Sequence, residues 1–140
     1  MNDEQMMKDI LLSAKTIASV GLSSNQQKES FWIASYLKDQ GYRVIPVNPT
    51  ADEILGEKAY PDLESVPEKI DVVQVFRRPE DVPPVVDSAI DIGAKVIWMQ
   101  EGIAHGEAAQ KARQAGLQVV MDACMRGTHR RLIGPKLVSL

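Results

Sequence analysis

Five short stretches of nearly unbroken apolar character punctuate the chain: TIASVGL (16–22), RVIPV (43–47), DVVQVF (71–76), KVIWM (95–99) and LQVVM (117–121). None alternates apolar and polar positions as a strand with one wet face would, so each predicts a strand covered on both faces of a parallel sheet. Helical spacing fills the intervals. Within 31–40 (FWIASYLKDQ), Ile33, Ala34 and Leu37 share one face and Gly41 supplies the stop. Within 79–92, Val82, Val85, Val86, Ala89 and Ile90 recur at helical intervals between Pro79 and Gly93. A third helical stretch, 104–115, runs to Gly116, and another, over roughly 4–15, precedes the first strand.

This alternation predicts an α/β domain of three layers. Between the second and third runs, Thr50 and Glu53 have capping-box spacing, which predicts a one-turn helix within 51–55. The following GEKAYPDLESVPEKI (56–70) reads as loop plus a short helix. Right-handed crossovers leave two common orders for five parallel strands, 3-2-1-4-5 and 2-1-3-4-5, and both put a ligand at the carboxyl ends of the strands.

Composition narrows the setting. The 140 residues suit one domain over 1–140, with a core expected over about 12–132. A net charge of -3 argues against a broad nucleic-acid footprint. Cys124 is the lone cysteine, which excludes an internal disulfide and suits a reducing compartment. The first residues, MNDEQMMKDILLSAK, lack the long apolar core of a secretory signal, and no run reaches the ~20 apolar residues of a membrane span. A cytoplasmic location is the expectation.

The loops after the five runs collect the polar chemistry: GLSS (21–24), NPT (48–50), RRPE (77–80), QEGI (100–103) and DACMRGTH (122–129). The first has one glycine, Gly21, where the dinucleotide fingerprint G-x-G-x-x-G needs three. An anion site does not need the others. Amides at a helix N-terminus, the hydroxyls of Ser23, Ser24 and Ser30, and the charge of Lys28 can hold phosphate, although Ser30 also fits a simple helix cap. Arg77 and Arg78 precede the positive end of a helix, where cations are unfavourable; phosphate partners or ion pairs with Glu80 and Asp81 are both open. Cys124, His129, His105 and Asp122 lack the paired spacing of a zinc site, and V-G-L-S-S is not a nucleophile elbow. The basic MRGTHRRLIGPK has no interleaved aromatics and reads as a solvated cluster.

Taken together, SVGLS, GYRVIPVNP with LGEKAYPDLESVP, DVVQVFRRPEDVP, GAKVIWMQEGI and GLQVVMDACMRGTHRRL resemble the small stand-alone CoA-binding domain proteins and, more distantly, the CoA-binding domain of the succinyl-CoA synthetase α subunit. The resemblance covers about 12–132. It implies a Rossmann-like, five-stranded parallel sheet of order 3-2-1-4-5 with coenzyme A, or an acyl-CoA, across the strand ends. By match to the family, Gly21, Leu22, Ser23 and Ser24 cradle phosphate, and Asn48, Pro49, Phe76, Arg77 and Arg78 flank the nucleotide. Gln100, Glu101, Gly102, Ile103 and Cys124 lie nearer the pantetheine. Two stretches depart from the family: NQQKES, where relatives commonly carry Pro and Arg and Lys28 is the substitute, and CMRGTH, where they often carry C-P-K. The synthetase reacts through a second domain with a phosphohistidine, so the resemblance implies binding without catalysis here, with a protein partner left open. An NAD(P) domain and an interaction module with a vestigial site are the competing classes.

Overall fold

The apolar runs become strands, trimmed by one or two residues where the flanking glycines and prolines begin to turn the chain. The computed structural model describes residues 2–136, so the outer ends of the domain expected over 1–140 lie outside the described residues. The elements are α1 (Glu4–Ser13), β1 (Thr16–Val20), α2 (Glu29–Asp39), β2 (Arg43–Val47), β3 (Glu53–Ile54), β4 (Glu57–Lys58), β5 (Val72–Val75), a 3₁₀ turn (Pro79–Asp81), α3 (Val82–Asp91), β6 (Val96–Met99), α4 (Gly106–Gln114), β7 (Gln118–Val120) and α5 (Met125–Leu132).

Five strands form one parallel sheet in the order β2-β1-β5-β6-β7. The third apolar run therefore lies beside β1, and the place beyond β2 is taken by Tyr60. Its amide donates to the Pro46 carbonyl and its carbonyl accepts from Asn48, making a single parallel bridge to Val47. Counted as a rudimentary third strand, Tyr60 completes the Rossmann-like 3-2-1-4-5 arrangement, and β7 adds a sixth position.

Side chains alternate across the sheet into two apolar layers. Ala18, Val73, Val75, Ile97, Met99 and Val119 pack with α3 and α4, whereas Ile17, Val72, Val96, Trp98 and Val120 pack with α1, α2 and α5. Burial on both faces is why the strands read as continuous apolar runs. Ile33, Ala34 and Leu37 of α2 are buried as their spacing predicts, as are Val82, Val86 and Ala89 of α3; Val85 and Ile90 are half-buried.

Two expectations fail between β2 and β5. The segment 51–55 is not a helix: Thr50 gives its amide and hydroxyl to Asn48 Oδ1, and Leu55 and Gly56 both take positive φ, 55° and 74°. That pair is the turn of a β3–β4 hairpin, whose twist suits two consecutive left-handed residues. The short helix expected in 56–70 is reduced to a turn in which Asp62 Oδ1 accepts from the amide and hydroxyl of Ser65. The basic end is helical, with Arg130 and Arg131 exposed as a solvated cluster requires. Met125, Thr128 and His129 are the buried stripe of α5. Among the described residues, no helix is long and apolar enough to cross a membrane.

Candidate functional site

All five strands end at one rim, where the loops after β1 and β5 lie against each other. Gly21 adopts φ +87°, its amide donates to the Val47 carbonyl, and its α-carbon lies against the backbone of Phe76 and Nε of Arg77. The loop then crosses to α2. Ser30 does not cap that helix; its Oγ accepts from the Ser23 amide at 3.2 Å and ties the loop back on itself. Lys28 occupies the cap position without a side-chain hydrogen bond, which leaves the first-turn amides of α2 without a side-chain acceptor.

Two depressions meet on this rim. The broader, of about 480 Å³, is lined by Gly21, Ser23, Lys28, Ser30, Arg77 and Arg78 together with Glu29, Phe76 and Ile103. The narrower, of about 140 Å³, shares Glu29, Ser30, Phe76 and Ile103 and adds Ile33, Gln100, Glu101 and Cys124. The shared walls make one trough. Its broad end carries the cations, and its narrow end is walled by Ile33, Phe76 and Ile103.

The two arginines differ. Arg78 Nε lies 3.3 Å from Glu80 and 3.2 Å from Asp81, so the ion-pair alternative holds for it. Arg77 makes no ion pair among the described residues and is half-buried beside Gly21. At the narrow end, Arg126 Nη2 pairs with Glu29 Oε1 at 3.0 Å. Cys124, half-buried, precedes α5.

Five of the sixteen residues named from sequence do not line the trough. Leu22 turns its side chain fully into the core, and its carbonyl accepts from Asn48 Nδ2. Asn48 is thereby a strut between the loops after β1 and β2. Ser24 and Pro49 are exposed outside the depressions, and Gly102 donates its amide to Asp122 Oδ1 at 2.6 Å. Glu29 and Ile33 line the trough but escape the sequence reading because they come from α2 rather than from a loop after a strand. Their spacing, one helical turn apart and just after the loop, is the signal that was available.

The other chemistry-bearing residues have structural partners. His105 caps α4, its Nδ1 accepting from the Ala108 amide. His129 is buried on the far side of α5, bonded through Nδ1 to the Tyr36 hydroxyl at 2.7 Å. Burial, then repulsion by Lys136, holds its pKa below the usual value. Its ring is engaged by Tyr36 and Tyr42 and does not line the trough beside Cys124.

A family model described as a CoA binding domain matches residues 15–130. The Bacillus subtilis protein YneT, itself described as uncharacterized, is 42% identical over 123 residues, covering 88% of this chain and 91% of its own. The ADP-forming acetate–CoA ligase II of Archaeoglobus fulgidus is 30% identical over 133 residues, covering 93% of this chain and 19% of the ligase, so the chain spans about a fifth of that relative. In three dimensions, a hypothetical protein from Pyrococcus horikoshii OT3 superimposes with a TM-score of 0.92 at 40% identity, covering 95% of this chain and 94% of that one.

Proposed function

Because the chain belongs to the CoA-binding domain family, we propose that the trough along the strand ends binds coenzyme A or an acyl-CoA and performs no chemistry of its own. The observation that carries this reading is the join of two unlike depressions. The broad end offers Lys28, Arg77, which makes no ion pair among the described residues, and the amides that open α2, which suit phosphate. The narrow end offers the apolar walls of Ile33, Phe76 and Ile103 with Ser30, Gln100, Cys124 and the carboxylates of Glu29 and Glu101, a lining that disfavours a second anion and suits an uncharged pantetheine arm. A ligand that is anionic at one end and neutral at the other matches both.

Binding without catalysis is favoured because both histidines are engaged in the fold. The protein then presents or holds CoA for a partner. An NAD(P) reading is weaker: the first loop has one glycine, and Asn48-Pro49 follows β2 where an acidic residue would grip a ribose. Thermal shift separates the two. CoA at one hundred times its dissociation constant raises stability by about 2.7 kcal/mol, and NAD leaves the melting temperature unmoved. A shift with NAD and none with CoA overturns the reading.

A further inference from the structure

A line of buried polar side chains crosses the sheet beneath the trough, and its polarity is fixed from one end. The Met125 amide, which can only donate, meets Gln100 at 3.0 Å, so the Gln100 atom facing it is the carbonyl Oε1. The same Oε1 accepts from Gln74 Nε2 at 3.1 Å, and Gln74 Oε1 in turn accepts from the Ser19 hydroxyl at 2.5 Å. Every link donates toward Gln100, from Ser19 and Gln74 on one side and from Met125 on the other. With Oε1 doubly engaged, Gln100 has only its Nε2 left to offer, and among the described residues that atom has no hydrogen-bond partner. Among the described residues no buried side-chain nitrogen or oxygen is unpaired, so Nε2 keeps an accessible face although the residue is only 3% exposed, and the narrow cavity that Gln100 lines is where that face can open.

On this basis, and resting on the CoA reading, we propose that Gln100 is a specificity residue for acyl thioesters. Its Nε2 donates to the thioester carbonyl oxygen, while Ile33, Phe76 and Ile103 receive a short apolar acyl group. An amide donor held by a backbone N–H cannot flip to offer an acceptor instead, so the site distinguishes a carbonyl from a methylene at the same place. A donor left unpaired against a methylene loses affinity for that ligand.

The test uses calorimetry on the full chain with CoA, acetyl-CoA and S-ethyl-CoA, the last replacing the carbonyl with a methylene at nearly constant shape. Acetyl-CoA is expected to bind about five- to tenfold more tightly than S-ethyl-CoA, the worth of one hydrogen bond. In Gln100→Glu the carboxylate still accepts from Met125 and Gln74 but presents an acceptor to the cavity. The preference is then expected to vanish or invert. The ratio of two affinities is read, so a change common to all ligands does not count, and if the variant does not fold the wild-type comparison decides. Equal affinities for acetyl-CoA and S-ethyl-CoA overturn this inference while leaving CoA binding intact. A wild-type protein that binds none of the three overturns the CoA reading itself.

Discussion

A first side-chain carbon at Gly21 would stand 2.5 Å from the carbonyl oxygen of Phe76, inside any tolerable contact, on a backbone already at φ +87°. The loops after β1 and β5 can approach this closely only because position 21 has no side chain. Both restraints act on Gly21→Ala: a left-handed conformation that costs an alanine about 1 kcal/mol or more, and a collision with backbone that cannot rotate away. The expected result is a fall in melting temperature of several degrees with loss of CoA affinity, read by thermal melts and calorimetry. Unchanged stability would mean that the two loops are not held together as described.

Arg77 and Arg78 should part company. Arg78 is already paired with Glu80 and Asp81 and its side chain is 76% exposed, so Arg78→Ala should alter affinity little and stability by less than about 1 kcal/mol. Arg77 is unpaired among the described residues and lines the broad depression. Arg77→Ala should weaken CoA binding roughly ten- to a hundredfold, the worth of a charge-assisted contact to phosphate. Titrations of the two variants side by side decide the matter, and an equal loss in both would contradict the assignment.

How much of this was legible in the sequence depended on whether the relevant signal was local. Strands β1, β2, β5, β6 and β7 were readable because a strand covered on both faces must be apolar throughout, and each loop following one could be assigned to the rim by topology alone. The β3–β4 hairpin was not readable from Thr50 and Glu53, because Asn48 captures the threonine that would have capped a helix, a competition settled by the approach of β2 to the first loop. In α5 the buried positions Met125, Thr128 and His129 do follow helical spacing, but Arg126, Arg130 and Arg131 between them gave the segment the look of a solvated cluster. Ile33 was placed on an apolar face correctly, yet its contact with the trough depends on where α2 lies over β1 and β5. Asp122, a non-glycine residue at φ 52°, has no such spacing signal; its carboxylate holds the Gly102 amide and so joins the loops after β6 and β7.

His129 makes stability depend on pH in a defined direction. Burial, then repulsion by Lys136, lowers its folded pKa below the usual value near 6.5, while the unfolded chain keeps the ordinary one. Between the two values the unfolded state binds more protons, so stability is fully present above about pH 6.5 and is lost as the pH falls toward the folded pKa. Its aromatic neighbours offer no offsetting anion: Tyr36 is raised chiefly by burial, and Tyr42 is pushed up to about 12 by burial and then by Tyr36. Melts at about pH 7.5 and about pH 5.5 should therefore show a larger drop for the wild type than for His129→Gln, which removes the titrating group. An identical drop in both would assign the acid sensitivity to other groups.

Cys124 is the last residue whose exposure the trough makes testable. It lines the narrow end beside Gln100 and is half-buried, so its thiol faces the region where the proposed ligand would present its own. Geometry alone does not make it reactive, since His129 points away and Arg126 is paired with Glu29. Reach is what can be measured. With CoA disulfide as the oxidant, the Cys124 thiolate attacks one sulfur, the S–S bond breaks, and one CoA leaves as thiolate while the other stays as a mixed disulfide. Intact-mass analysis should show one CoA-sized adduct on the wild type, reversed by reductant, and none on Cys124→Ser. S-ethyl-CoA, which has no thiol to reverse the exchange, should slow the reaction when added beforehand by occupying the same trough, whereas an adduct that forms equally fast in its presence would show that the thiol is reached from outside it. No adduct at all, in protein shown by calorimetry to bind CoA, would make Cys124 a small filler at the start of α5 rather than a neighbour of the ligand's thiol.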